Sequence, residues 1–280
     1  MTSLAQKRSD FRKLHEAGCF VIPNPWDVGS AMLLRSLGFK ALASTSAGFA
    51  WSVGRTDYGL KREDVLQHLA VLSAATDLPV NADYENGFAD SPEDVAASVT
   101  QCVATGVSGL SIENRTNNPK QPLYDDALAV ERIRASRRAI DATGTDVLLV
   151  ARCEGFLVGQ PDLAATIKRL QAFAEAGADC LYPPGISTKE QVAAVVKAVA
   201  PKPVNILIGG KTDLTVPVLA DLGVRRVSLG GALARAAWGG FMRAAIEIRD
   251  KGTFNELGNG HPGGELQKIF AGARAVSQAG

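Results

Sequence analysis

Eight short apolar runs, each followed by a stretch with helical spacing, limit the folds open to this chain more than any other feature. The runs are Phe20-Val21-Ile22-Pro23, Ala41 to Thr45, Pro79 to Asp83 and Gly109 to Glu113 in the first half. Val147 to Arg152, Asp179 to Pro183, Pro203 to Ile208 and Arg226 to Leu229 complete the series. Short runs without strict alternation are the pattern of strands covered on both faces, as in a parallel sheet. The intervening stretches carry their own start signals. Ser91-Pro92-Glu93-Asp94 sets an N-cap serine before proline at the first helical position, with acids in the first turn. Val95, Val99, Cys102 and Val103 then form one apolar face. Thr188-Lys189-Glu190-Gln191 opens a second such helix, with Val192, Val195, Val196 and Val199 inward, and Leu163, Ile167, Leu170 and Phe173 mark a third. Helices end in Leu37-Gly38, Ala176-Gly177 and Leu222-Gly223, the punctuation of a repeating βα unit. Eight units in about 230 residues predict a (β/α)8 barrel of the TIM type, which typically needs ~250 residues, over an open doubly wound sheet.

No linker or low-complexity stretch divides the 280 residues, so they read as a single barrel domain, 1–280. Residues 252–280 form a tail in which Gly258, Gly260, Gly263 and Gly264 precede an apolar helix from Leu266 to Ala275. A terminal helix of this kind is expected to pack on a neighbouring subunit.

In a barrel, the C-terminal ends of the strands line the mouth that carries chemistry. Those ends are rich in polar groups: Asn24-Pro25-Trp26-Asp27, Ser44 to Gly48, Asp83-Tyr84-Glu85, Glu113-Asn114, Arg152-Cys153-Glu154 and Asn205. Helix capping accounts for Asp27 and Ser44. It does not account for Asp83, Glu85, Glu113 and Arg152, because burying four ionisable groups is costly unless they pair or hold an ion. Converging carboxylate oxygens suit a hard divalent cation. Ser44-Thr45-Ser46-Ala47-Gly48 offers small side chains and backbone N–H groups that could cradle a carboxylate or a developing oxyanion.

Other chemistries find less support. Gly209-Gly210-Lys211-Thr212 lacks the spacing of a Walker A loop, although Gly209-Gly210 and Gly230-Gly231 follow strands seven and eight, where barrels often bind phosphate. Only His15, His68 and His261 could serve a serine triad, and none falls at a strand C-terminus. Cys19, Cys102, Cys153 and Cys180 are widely spaced, which predicts reduced, buried thiols rather than a zinc or redox pair. A net charge of +1 gives no general attraction to nucleic acid or acidic membranes. The cluster Arg132, Arg134, Arg137 and Arg138 reads as a solvated helix face. The start Met1 to Arg8 is not a secretory signal and no run approaches a bilayer span, so a cytoplasmic protein is expected.

Taken together and in order, several stretches resemble the isocitrate lyase/phosphoenolpyruvate mutase superfamily along nearly the whole chain. They are Pro23 to Ala31, Ser44 to Gly48 with Gly54-Arg55-Thr56-Asp57, Pro79 to Phe88, Ser111-Ile112-Glu113 and Ala151-Arg152-Cys153-Glu154. The resemblance implies a barrel whose last helix swaps between subunits of a dimer or tetramer. It implies Mg2+, or Mn2+ in its place, touched by Asp83, with Asp57, Glu85 and Glu113 holding its waters. Thr45, Ser46 and Ala47 would cradle the 2-oxo acid end of the substrate, alongside Trp26 and Asn205. Arg152 would stabilise an enolate oxygen, so that Arg152, Glu113, Thr45 and Ser46 form the catalytic set.

The reaction implied is lyase or hydrolase cleavage of a C–C bond in a small 2-oxo or 2-hydroxy acid through an enolate. The alternatives are P–C bond chemistry on a phosphonopyruvate-like substrate and a barrel that binds oxo acids without catalysis. Three departures bear on that choice. The loop from Asn114 to Tyr124 contains neither Cys nor His, where the isocitrate and methylisocitrate lyase branches carry Lys-Lys-Cys-Gly-His. Glu85 stands where an aspartate is usual, and Asn114 where an acid usually follows the family glutamate.

Overall fold

The computed structural model describes residues 2–278, and the eight expected strands are all present. The chain opens with α1 (Leu4–Glu16), β1 (Phe20–Ile22), α2 (Val28–Ser36), β2 (Leu42–Ala43) and two helices, α3 (Ser46–Ser52) and α4 (Arg62–Ala74). Then follow β3 (Val80–Asp83), α5 (Pro92–Ala104), β4 (Gly109–Glu113), α6 (Asp126–Ala142), β5 (Leu148–Arg152) and α7 (Leu163–Glu175). The second half continues with β6 (Cys180–Tyr182), α8 (Lys189–Val199), β7 (Asn205–Leu207), α9 (Val216–Asp221) and β8 (Arg226–Ser228). It closes with α10 (Ala232–Lys251) and α11 (Gly263–Gln278).

All strand pairs are parallel, in two sheets ordered β2-β3-β4-β5-β6 and β1-β8-β7. Two seams join the sheets into a ring. At one, the Ala43 amide donates to the Pro23 carbonyl at 3.0 Å; at the other, Leu181 pairs with Val204 and its amide donates to Pro203 at 2.9 Å. The architecture is a (β/α)8 barrel. Strand alternation decides what each face carries. Leu110 and Ile112 of β4, with Leu149 and Ala151 of β5, face the helices in the main apolar cluster. Gly109, Ser111 and Glu113, and Leu148, Val150 and Arg152, therefore face the barrel interior. Register sets Glu113 beside Arg152 and Arg152 beside Tyr182, so three polar side chains stand in one row at the C-terminal mouth.

The expected caps form. Ser91 caps α5 and Thr188 closes a capping box on α8, while Gly38, Gly177 and Gly223 take positive φ after their helices. Ser44 is not a cap; Thr45 caps α3, and the Ser44 hydroxyl instead accepts the Asp83 amide at 2.8 Å. The other end of the barrel is plugged by α1, whose fully buried Phe11 packs with Ile22, Ala41, Ala43 and Leu148. Gly109 makes this fit: a Cβ there would meet Phe11 at 2.7 Å.

Arg132 departs from the expected solvated face. It is 1% exposed, its guanidinium donating to the carbonyls of Ala89 and Asn86 and stacking on Tyr124 at 4.0 Å. It thereby ties α6 to the loop after β3. Beyond α10, Gly252 ends the helix in the left-handed conformation and α11 lies against α2 of its own chain. Of the 20 residues of α10 only Ala234 and Glu247 are buried. Among the described residues, no helix is long and apolar enough to cross a membrane.

Candidate active site

A cavity of about 190 Å³ opens at the C-terminal ends of the strands, with Asp57, Asp83, Arg152 and the Thr45–Ala47 segment on its wall. Arg152 organises it. Its Nη1 lies 2.6 Å from Asp83 Oδ1, Nη2 3.1 Å from Glu113 Oε2 and Nε 2.9 Å from Glu154 Oε1. Burial opposes the guanidinium charge, but Glu154, Glu113 and Asp83 outweigh it and hold the group firmly protonated. Asp83 and Glu113 each have a second contact. The Ser46 amide donates to the other Asp83 oxygen at 2.9 Å, and the Tyr58 hydroxyl donates to Glu113 at 2.8 Å. The Glu154 amide donates to the Asn114 side chain at 2.8 Å, tying β5 to the end of β4.

Negative charge is in surplus. Glu113, 1% exposed, is pushed up to about 8 by burial with Glu154 and Asp83, against the pull of Arg152 and the Tyr58 hydroxyl. Glu85 is also pushed up to about 8, by burial first and then by Asp83 and Asp57. Its side chain makes no hydrogen bond among the described residues, and one oxygen each of Glu113 and Glu154 is buried without a hydrogen-bond partner. Tyr58, Glu85 and Phe88 all hold positive φ, at 60°, 47° and 56°. Strain of this kind, on side chains that disfavour the left-handed region, concentrates at functional sites. Crowded acids around one arginine, with strained backbone at Tyr58, Glu85 and Phe88 beside them, are the chemistry of an anion- or metal-handling centre rather than of a structural core.

The comparisons agree with that reading. A family model described as phosphoenolpyruvate phosphomutase matches residues 11–249. The chain belongs to the phosphoenolpyruvate mutase/isocitrate lyase superfamily. A solved structure from Burkholderia cenocepacia J2315, provisionally named a lyase/mutase, is 47% identical with TM-score 0.93, covering 96% of this chain and 97% of its own. The 2-methylisocitrate lyase of Escherichia coli strain K12 is 32% identical over 194 residues, 66% of this chain and 64% of that protein. An oxaloacetate acetylhydrolase solved with its product oxalate is 25% identical with TM-score 0.87, covering 100% of this chain and 99% of that one. The chain is thus an enzyme of the isocitrate lyase/phosphoenolpyruvate mutase type.

Within this superfamily member the expected site residues fall into three groups. Thr45, Ser46, Ala47, Asp57, Asp83 and Arg152 share the cavity wall. Glu85 and Glu113 stand just behind it, 5% and 1% exposed. Trp26 and Asn205 do not line it: Trp26 packs its Cβ against Gly48, and buried Asn205 is bonded to Ser228 and Arg226 within the barrel.

Asp83 and Glu113, together with Glu154, gather on Arg152, whereas Asp57 and Glu85 form no ion pair among the described residues. Among these residues, too, no three His, Cys, Asp or Glu side chains are placed to ligate one ion directly. Of the amides expected to be free, Ser46 is spent on Asp83 and Gly48 on the Thr45 hydroxyl. At the Gly230 corner, the Leu229 and Gly230 amides both donate to the Asn24 side chain, so they offer no open phosphate nest.

The sequence placed Glu154 and Asn114 at the mouth without giving either a role, and Tyr58, Tyr182 and Arg115 carried no signal there. A role for Glu154 was findable, since it lies two residues beyond Arg152 in extended chain and so on the same side. Tyr58 follows directly on Asp57, but nothing in the sequence shows that a strained turn aims its hydroxyl at Glu113.

Proposed function

We propose that the chain is a Mg2+-dependent lyase or hydrolase that cleaves a bond next to the 2-oxo or 2-hydroxy end of a small carboxylic acid, through an enolate. The observation that carries this is the grip of Asp83, Glu113 and Glu154 on Arg152 at the cavity wall. Three acids occupy at most three of its five N–H groups, which leaves donors for a substrate oxygen. A guanidinium fixed in advance costs little reorganisation when charge grows on that oxygen.

The donors also fit a hard divalent cation: they are all oxygens, and the acids outnumber what Arg152 neutralises. Asp83 would touch it directly, and Asp57 and Glu85 would hold its waters, with Glu113 behind them fixing Arg152. Such a cation polarises the 2-oxo or 2-hydroxy oxygen when bound. Tyr58, kept protonated by burial and by Glu113, holds that acid in place. Ser46 and Ala47 border the acid end of the substrate, and Thr45 keeps their turn in shape by capping α3.

A second copy of the chain is the natural cover for α10, where Trp238, Phe241, Met242 and Ile246 are 40–61% exposed. This supports a homo-oligomer, a dimer or tetramer, while α11 lies against α2 of its own chain and would have to leave that seat for terminal helices to exchange. The test of function is a substrate panel with Mg2+: oxaloacetate, 2,3-dimethylmalate, 2-methylisocitrate and phosphonopyruvate, read as release of pyruvate or oxalate or as formation of phosphoenolpyruvate. Turnover of a carboxylate is expected. Turnover of phosphonopyruvate alone would favour the P–C reading that the family model's description suggests, and no turnover with tight oxo-acid binding would favour a binding barrel.

A further inference from the structure

Three guanidiniums line the inner cavity, those of Arg115, Arg152 and Arg226. Two are committed. Arg152 holds three carboxylates, and fully buried Arg226 donates to the amide oxygens of Asn205 and Asn81 on the barrel floor. Arg115 is different. Among the described residues its side chain makes neither a hydrogen bond nor an ion pair; the face of Tyr58 lies 4.0 Å below the guanidinium carbon, and its charge acts on Glu85 through space, opposing the rise of that acid's pKa. A ring face satisfies the plane of a guanidinium and none of its N–H groups.

The position of Arg115 is built, not incidental. Its backbone pairs with Leu123 as an antiparallel bridge, reinforced by Thr116 donating to Pro122 at 2.9 Å, so the stem of the side chain is fixed. Tyr58 is fixed in turn by its strained φ and by its bond to Glu113. A second cavity of about 410 Å³ lies under the loop from Arg115 to Pro122, and Tyr58, Arg115 and Leu157 line both spaces. Arg115 therefore stands where one cavity passes into the other, with a planar fork of unused donors suited to a carboxylate.

We infer that Arg115 anchors a second carboxylate of the substrate, at the end away from the 2-oxo or 2-hydroxy group, so that the enzyme selects di-acids over mono-acids. This rests on the proposed function and adds the residue that reads the far end of the substrate.

The test is calorimetric titration of the full chain in Mg2+ with malate and lactate, which share a 2-hydroxy acid end and differ in the second carboxylate. The wild type is expected to bind malate more tightly. Arg115→Gln should weaken malate by roughly 10- to 100-fold, the scale of lost charge-assisted hydrogen bonds, and lactate by less than about threefold. Arg115→Lys, keeping the charge without the fork, should fall between. Thermal midpoints near the wild type would establish that both variants fold. Equal losses for the two acids, or none, would overturn the inference while leaving the proposed function intact. With phosphonopyruvate titrated alongside, a loss confined to that compound would overturn the assignment to a carboxylate. Wild-type protein that binds neither acid and turns over no oxo acid would overturn both.

Discussion

The two ends of the barrel treat buried charge in opposite ways. At the closed end, the cations of α1 are answered by backbone carbonyls: Lys7 Nζ donates to Ser73 at 3.0 Å and to Thr76, and Arg8 Nε to Val107 at 3.2 Å. These carbonyls include the last turn of α4, so Lys7 caps a helix while buried. His15 there is held neutral, its ring bonded to the Phe11 carbonyl and enclosed by Phe11 and Phe20. At the open end, acids exceed the cations that could answer them, two are pushed up to about 8, and three residues carry strained backbone. Answered charge marks the end that stabilises; surplus charge and strain mark the end that reacts.

That contrast can be broken by substitution. The largest effect is expected at the closed end. Phe11→Ala empties the plug between α1 and the barrel and should cost about 3–5 kcal/mol in denaturant unfolding, with KM and kcat per folded molecule unchanged. A change in KM would show that the two ends are not separable. At the open end, Arg152→Lys should lower kcat roughly 100- to 1,000-fold, the range for removing a donor aimed at developing charge, because a point charge cannot reproduce the planar fork. Near-normal turnover would show that Arg152 serves only to pair its three acids.

Glu85→Gln is the milder probe of the same end. It should weaken Mg2+ activation about 10- to 100-fold, as losses of outer-sphere ligands typically do, and excess Mg2+ should recover much of the rate. Smallest is the pH response of the closed end. Burial, with Arg226 nearby, lowers the His15 pKa to about 3, below its ordinary value of 6.5. The unfolded chain therefore takes up a proton that the folded chain refuses. The contribution of His15 to stability is complete above about pH 6.5 and is lost as pH falls toward 3. Thermal midpoints between pH 7 and pH 4 should fall less steeply in His15→Leu than in the wild type. Parallel slopes would mean that other groups govern the decline.

Much of this was legible in the sequence. The eight strands, the caps at Ser91 and Thr188 and the glycine stops are local signals, fixed by backbone geometry and short-range hydrogen bonds, and all appear where expected. Which acids belong to the mouth was also readable, because strand ends identify it. What those acids touch was not. That Asp83, Glu113 and Glu154 meet on Arg152 depends on register across β3, β4 and β5, which pattern alone does not set. The burial of Arg132 shows the same limit from the other side. A run of arginines on a helix looks solvated until the loop after β3 folds over it and turns its carbonyls inward.

The central claim is that the surplus of acids at the open end exists to hold a divalent cation through Asp83. Isothermal titration of Mg2+ into the purified chain at pH 8, for the wild type and for Asp83→Asn, tests it most directly. The account predicts one site in the wild type and loss of that site in the variant, with the fold retained. Wild-type Mg2+ binding in Asp83→Asn would contradict it, since the cation would then lie elsewhere and the crowded carboxylates would need another explanation.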